Sequence, residues 1–207
     1  MRYFSIFFLF DITKKHLQSF FAKAVQTRLF SGIPQEGLTL GRDDAPVTLV
    51  EYADLQCPYC AEWSVRTLPV LVSRYVRTGR VRIVFRGLAF IGPDSETALR
   101  TALAAGREGR LWDSVHGLYG RQGLENSGWV RDALDDPRLE LEKFEQRRGE
   151  PWVDAQLEAS RALAEAAGIR GTPSFQIGLT GGALELVRLD SLGPEGITPA
   201  IDALLRP

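Results

Sequence analysis

Val47-Thr48-Leu49-Val50-Glu51-Tyr52-Ala53-Asp54-Leu55-Gln56-Cys57-Pro58-Tyr59-Cys60 decides the reading of this 207-residue chain. Its first half, Val47 to Ala53, has the apolar and β-branched content of a strand. A helix is predicted to begin at Cys57, with Pro58 at its first position, where the N–H that proline lacks has no intrahelical partner anyway. The only two cysteines of the chain therefore meet at a strand-to-helix junction. That is the simplest setting for a redox-active dithiol.

The chemistry follows from the helix start. The thiol of Cys57 would sit as the N-cap, facing free backbone N–H groups and the positive end of the dipole. An unperturbed thiol has a pKa of about 8.5. Lowering it to about 5 needs roughly 4–5 kcal/mol of thiolate stabilisation, at about 1.36 kcal/mol per unit. One helix end supplies at most about 2 kcal/mol, so further donors are expected. Cys60 lies one turn deeper, which assigns Cys57 as the attacking, substrate-linked thiol and Cys60 as the resolving one. The inert alternative, a static disulfide across so short a loop, gains little loop-closure entropy and is strained.

Glu51, six residues before Cys57, would be a buried or half-buried carboxylate of raised pKa. Such a group can exchange the proton of Cys60, the role its position relative to the dithiol suggests, while strand alternation leaves an edge-exposed Glu open. Gly171-Thr172-Pro173 opens a later strand, and a proline there is often only a boundary. Composition alone does not indicate a cis bond, since only about 5% of X–Pro bonds in folded proteins are cis. Tyr59 and Trp63 are candidates to line the mouth of the site, with core packing an equal reading for Trp63. His116, on a face with Trp112 and Tyr119, reads as packing.

Composition narrows the class. The chain is 44% hydrophobic, enough for a sizeable core. Its net charge of −1 offers nothing to nucleic acid or an anionic membrane. Two cysteines with His16 and His116 lack ligand spacing, so no metal and no other cofactor is expected.

Along the chain, Tyr3 to Phe10 is an apolar run too short for the about 20 residues that span a bilayer. Leu17, Phe20, Phe21, Ala24, Val25, Leu29 and Phe30 then fall at largely helical spacing. Residues 1–36 are read as an N-terminal extension, whether anchor, export signal or docked helix, and Ser31 to Gly41 as a linker. The domain proper is placed at 37–207. Val81 to Phe85 is a second strand reached by a βαβ crossover, with Pro69 kinking or restarting the helix between. A helical block of about 94–168 follows, including Trp129 to Leu134 and Leu139 to Phe144, interrupted at Asp135-Asp136-Pro137. Ser174 to Ile177 and Leu184 to Leu189 form an antiparallel hairpin, and Pro199 to Leu205 a closing helix.

Taken together, Asp44 to Tyr52, Asp54 to Cys60, and Gly168-Ile169-Arg170-Gly171-Thr172-Pro173-Ser174-Phe175 resemble the DsbA-like branch of the thioredoxin superfamily. The resemblance covers about Gly37 to Leu205, and the dithiol followed much later by Gly-Thr-Pro is its specific part. It implies an α/β thioredoxin-like fold with an inserted helical domain. It implies a cis Thr172–Pro173 facing the dithiol, where Pro58, Tyr59, Thr172 and Pro173 receive substrate, with Glu51 as the buried acid. The implied function is a protein thiol–disulfide oxidoreductase, acting as an oxidase on proteins with thiols or disulfides. The implied setting is extracytoplasmic, with a membrane redox partner for some members, and the protein is expected to be a monomer. A glutaredoxin-like reductase and a peptide-binding, chaperone-like module remain as alternatives, the first because Cys-Pro-Tyr-Cys also occurs in glutaredoxins.

Overall fold

The computed structural model describes residues 29–122, 132–133 and 141–206. The segments 1–28, 123–131 and 134–140 and residue 207 lie outside the described residues, and with them the apolar run at Tyr3 to Phe10, the expected stretch from Trp129 to Leu134 apart from residues 132–133, and Asp135-Asp136-Pro137.

At the centre of the sheet is β3 (Val47–Ala53), buried along its whole length. It pairs in parallel with β4 (Val81–Gly87) on one side and antiparallel with β5 (Ser174–Leu179) on the other. With both edges paired and both faces covered, it is buried at every residue, Thr48 and Glu51 included, the pattern of an interior strand. β4 alternates buried and half-buried residues. β6 (Glu185–Val187) extends the sheet beyond β5. On the other edge, β1 (Gln35–Glu36) and β2 (Thr39–Leu40) form a hairpin whose second strand pairs with β4. The spatial order is β1-β2-β4-β3-β5-β6.

That hairpin corrects the expected linker over Ser31 to Gly41. Gly37, at φ 55°, turns the chain, and Leu40 is completely buried. Phe30 and Ile33 are also in the core, so the folded unit starts upstream of residue 37. Two-residue strands separated by glycine carry no periodicity from which to infer a sheet edge.

Between β3 and β4 lie α1 (Pro58–Arg66) and α2 (Leu68–Leu71), the latter running into a single π-helical turn at Val72–Val76. Pro69, in the first turn of α2, restarts the helix as expected. Gly79 adopts φ 71° and releases the chain into β4. The helices α3 (Ser95–Gly106), α4 (Leu111–Tyr119), α5 (Glu142–Glu145) and α6 (Pro151–Ala166) separate β4 from β5. In α6, Val153, Leu157, Ser160 and Ala164 form one buried stripe at helical spacing.

The last helix, α7 (Pro194–Leu204), begins five residues earlier than expected and carries Pro199 inside it. Pro194 takes the first-turn position that the sequence reading gave to Pro199. Burial of Ile197 and Ile201, one turn apart on either side of Pro199, offsets the missing hydrogen bond. Among the described residues, no helix is long and apolar enough to cross a membrane.

Candidate active site

β3 ends at Ala53, and the turn Asp54–Gln56 delivers Cys57 to the start of α1. The Cys57 N–H donates to the Asp54 carbonyl at 3.0 Å, and the Cys57 carbonyl accepts from Ala61 at 3.1 Å, the first bond of the helix. With φ −78° and ψ 119°, Cys57 is extended and occupies the N-cap, as its place before Pro58 predicts. Its Sγ makes no cap bond and instead meets the Thr172 carbonyl at 3.3 Å. Thr172–Pro173 is cis, so the loop before β5 and the start of α1 face each other across the dithiol.

Both cysteines are free thiols. Cys57 lies just beneath the surface at 2% exposure, between the half-buried Gln56 and the exposed Pro58 and Tyr59, while Cys60 is completely enclosed. Their electrostatics diverge accordingly. The pKa of Cys57 is lowered to about 6, chiefly by a hydrogen bond from the Cys60 thiol. The otherwise unpartnered Thr172 hydroxyl and the backbone N–H groups of Cys60 and Tyr59 add to this, against the opposing effect of burial. Cys60 is pushed far above the ordinary thiol range, first by burial, then by donating to Cys57 and by the negative charges at Cys57 and Glu51. One thiol is thus ionised at neutral pH and its neighbour holds its proton.

Glu51 sits inside the sheet at 1% exposure, between Phe85 on β4 and Phe175 on β5 in the strand register. Burial raises its pKa to about 8, and Oε1 has no hydrogen-bond partner. Of the two readings left open by alternation, the structure takes the interior one. Tyr59 is 62% exposed beside Cys57, whereas Trp63 is completely buried with its ring 4.9 Å from that of Phe175. Trp63 therefore belongs to the core. His116 packs edge-on against Phe30 and places Nδ1 3.0 Å from the Ser64 hydroxyl, with its pKa lowered to about 4 by burial. Among the described residues, no group of three or more His, Cys, Asp or Glu side chains could hold a metal ion.

Two residues at the site escaped the sequence reading. Tyr119, at the end of α4, donates its hydroxyl to the Asp54 carbonyl at 3.2 Å. Burial, followed by the negative charges of Cys60, Glu51 and Cys57, holds its own proton well beyond the usual tyrosine range. Asp54 has a completely buried carboxylate that accepts bonds from both the active-site turn and the loop before α3. The only sequence signal for it is an acidic residue three positions before an N-cap, and the tertiary partners of neither residue are legible from spacing.

A thiolate at neutral pH beside a proton-holding thiol has a defined competence. It attacks disulfides, and its neighbour displaces what it captures. On a thioredoxin-type sheet, that defines the class of thiol–disulfide oxidoreductases. The sequence profile of the Thioredoxin family matches residues 34–183. Over 148 residues the chain is 28% identical to the probable disulfide bond formation protein D of Bacillus anthracis, covering 67% of this chain and 68% of that protein. A thioredoxin-like oxidoreductase from Silicibacter pomeroyi DSS-3 superposes with a TM-score of 0.64 at 28% identity, covering 86% of this chain and 95% of the other. Pseudomonas aeruginosa DsbA2 gives 0.62 at 25% identity, covering 84% and 97%. The chain belongs to the thioredoxin family, in its DsbA-like branch, and is a thiol–disulfide oxidoreductase.

Proposed function

We propose that the protein works as a protein dithiol oxidase, with Cys57 as the substrate-linked sulfur, Cys60 as the resolving sulfur and Glu51 as the proton donor to Cys60. The observation that carries this reading is the asymmetry of the pair: a thiol of pKa about 6 near the surface against an enclosed one pushed far upward. A substrate thiolate attacks Cys57 in the Cys57–Cys60 disulfide. The S–S bond breaks and Cys60 leaves with the electron pair. Glu51, whose pKa of about 8 keeps it protonated at neutral pH, supplies the proton. A second substrate thiolate then attacks the substrate sulfur of the mixed disulfide and releases Cys57 as a stabilised thiolate. The substrate loses two electrons and the protein holds them as a dithiol.

Stabilising the Cys57 thiolate favours the reduced form, which makes the disulfide more oxidising. Substrate would lie against Pro58, Tyr59, Thr172 and Pro173. The corresponding setting is extracytoplasmic, with a monomeric enzyme, proteins bearing thiols as substrates and a membrane redox partner to reoxidise the dithiol. The helices described between β4 and β5 speak against the compact glutaredoxin-like alternative. The test is the reduction potential together with oxidation of a reduced, unfolded protein. A value of about −120 mV with rapid oxidation supports an oxidase, and one of about −200 to −230 mV moves the protein to a reductase role.

A further inference from the structure

A groove of about 510 Å³ opens where the described chain begins, and its lining includes Leu29, Val65, Pro69, Val72, Arg77 and His116. Val65 lies on α1 eight residues beyond Cys57, roughly 12 Å along the helix axis, so this surface is separate from the reacting sulfur. Pro69 comes from α2, Val72 from the π-helical turn and His116 from α4. Val72 is buried, but Val65 is 56% exposed. Three aliphatic side chains from consecutive helical segments thus share one open apolar surface.

The chain enters the fold at this groove, from a fixed place and in a fixed direction. Leu29 is helical, packs on the core and lines the groove. Phe30 beside it is buried, its ring 5.7 Å from that of His116 and 6.3 Å from that of Trp112. The Arg77 guanidinium donates to the Leu29 and Ser31 carbonyls, each at 2.8 Å, the way a basic side chain satisfies the last carbonyls of a helix. The sequence before residue 29 carries a face that fits. Leu17, Phe21, Val25 and Leu29 recur at every fourth position, with Phe20 and Ala24 beside them and Ser19, Lys23 and Gln26 opposite. Arg28 is the charge on the apolar side, in the last turn, where the helix dipole favours a cation. One member of that stripe, Leu29, is already seated in the groove.

We propose that residues 17–28, which lie outside the described residues, run as a helix along this groove and cover Val65, Pro69 and His116. The segment is then a docked element of the fold and not a membrane anchor. Continuity argues for this occupant over a second copy of the chain or another protein, because Leu29 belongs both to the stripe and to the groove. Twelve helical residues reach roughly 18 Å. A helix of that length is marginal alone in water, so its formation depends on an apolar surface such as this one. The docking is independent of the exchange chemistry assigned above.

The test is amide hydrogen exchange of the full chain in lipid-free buffer, read by mass spectrometry on peptides covering residues 17–28. Exchange there is expected to be at least tenfold slower than in the same peptide free in solution, and independent of protein concentration. Val65→Asp places a charge in the groove and is expected to speed that exchange at least fivefold, with the protection of β3 unchanged. Phe21→Asp, on the stripe, is expected to do the same. Exchange as fast as in the free peptide overturns the proposal, and so does protection that survives either variant. Protection that grows with protein concentration gives the groove to a second copy and overturns it. Protection that appears only with phosphatidylglycerol vesicles makes the segment a lipid anchor and also overturns it. Should Val65→Asp fail to fold, seen as loss of β3 protection, Val65→Ser takes its place, with at least a twofold faster exchange expected and no change overturning the proposal.

Discussion

The Sγ of Cys57 donates to the Thr172 carbonyl at 3.3 Å, joining residues 115 positions apart. A carbonyl accepts a proton but does not favour a thiolate, so this contact belongs to the protonated thiol. The ionised form is held by the Cys60 thiol first, then by the hydroxyl of Thr172 itself and the N–H groups of Cys60 and Tyr59. The reacting sulfur thus sits between Thr172, which offers both an acceptor and a donor on the loop before β5, and donors from the start of α1.

Exchange through these two sulfurs makes the cysteine variants unequal. Cys60→Ser is expected to accumulate covalent substrate adducts on Cys57, because nothing remains to displace them. Cys57→Ser is expected to abolish turnover and give none. Non-reducing electrophoresis and mass spectrometry check both, and adducts on Cys60 in the second variant would reverse the roles.

Reduction takes up two electrons and two protons while both thiols hold their protons, but only one proton once Cys57 is ionised. The reduction potential is therefore expected to fall by about 59 mV per pH unit below pH 6 and by about 30 mV per unit above it. The break marks the Cys57 pKa of about 6. A steep slope continuing through pH 8 would mean that the thiol is not ionised in that range.

Glu51 gives a stability signature of known sign. Its pKa rises from 4.5 to about 8 on folding. Below pH 4.5 it is protonated in both states and exerts no penalty. As pH rises from 4.5 to 8 only the unfolded chain loses the proton, so the fold is progressively destabilised, and above 8 the penalty is constant. Glu51→Gln is expected to remove it, with a gain of up to roughly 3 kcal/mol at pH 7 that vanishes below pH 4.5. Denaturant unfolding at several pH values measures this, and a pH-independent difference would contradict the assignment. The same variant is expected to slow release of Cys60 during turnover.

A backbone contact closes the far end of the sheet. A Cβ at Gly178 would meet the Ala183 carbonyl oxygen at 2.2 Å, inside the β5–β6 connection. Gly178→Ala is expected to cost about 2 kcal/mol, as overpacking commonly does, and to lower Tm by several degrees. An unchanged Tm would show that the hairpin adjusts freely.

What the sequence made legible is local. Val47–Ala53 forms a strand with the bounds its composition predicts, and α1 opens at Pro58 because the proline signal is contained in one turn. The dithiol and the β5–β6 hairpin are also recognisable from short motifs. The β1–β2 hairpin and the start of α7 were missed because glycine and proline were read as breaks, whereas tertiary burial of Leu40, Ile197 and Ile201 carries the chain through them. Asp54 and Tyr119 were missed for a different reason. Their partners, at Phe90, Ile91 and Ser95 for one and at the Asp54 carbonyl for the other, lie 36 to 65 positions away in the chain and meet only in the tertiary fold.

The most direct measurement is the pH dependence of Cys57 alkylation by a small reagent in the reduced protein, monitored alongside thiolate absorbance. A single ionisation near pH 6, with reactivity already at its plateau by pH 7.5, is the expected result. A midpoint at about 8.5, that of a thiol free in water, would contradict the account.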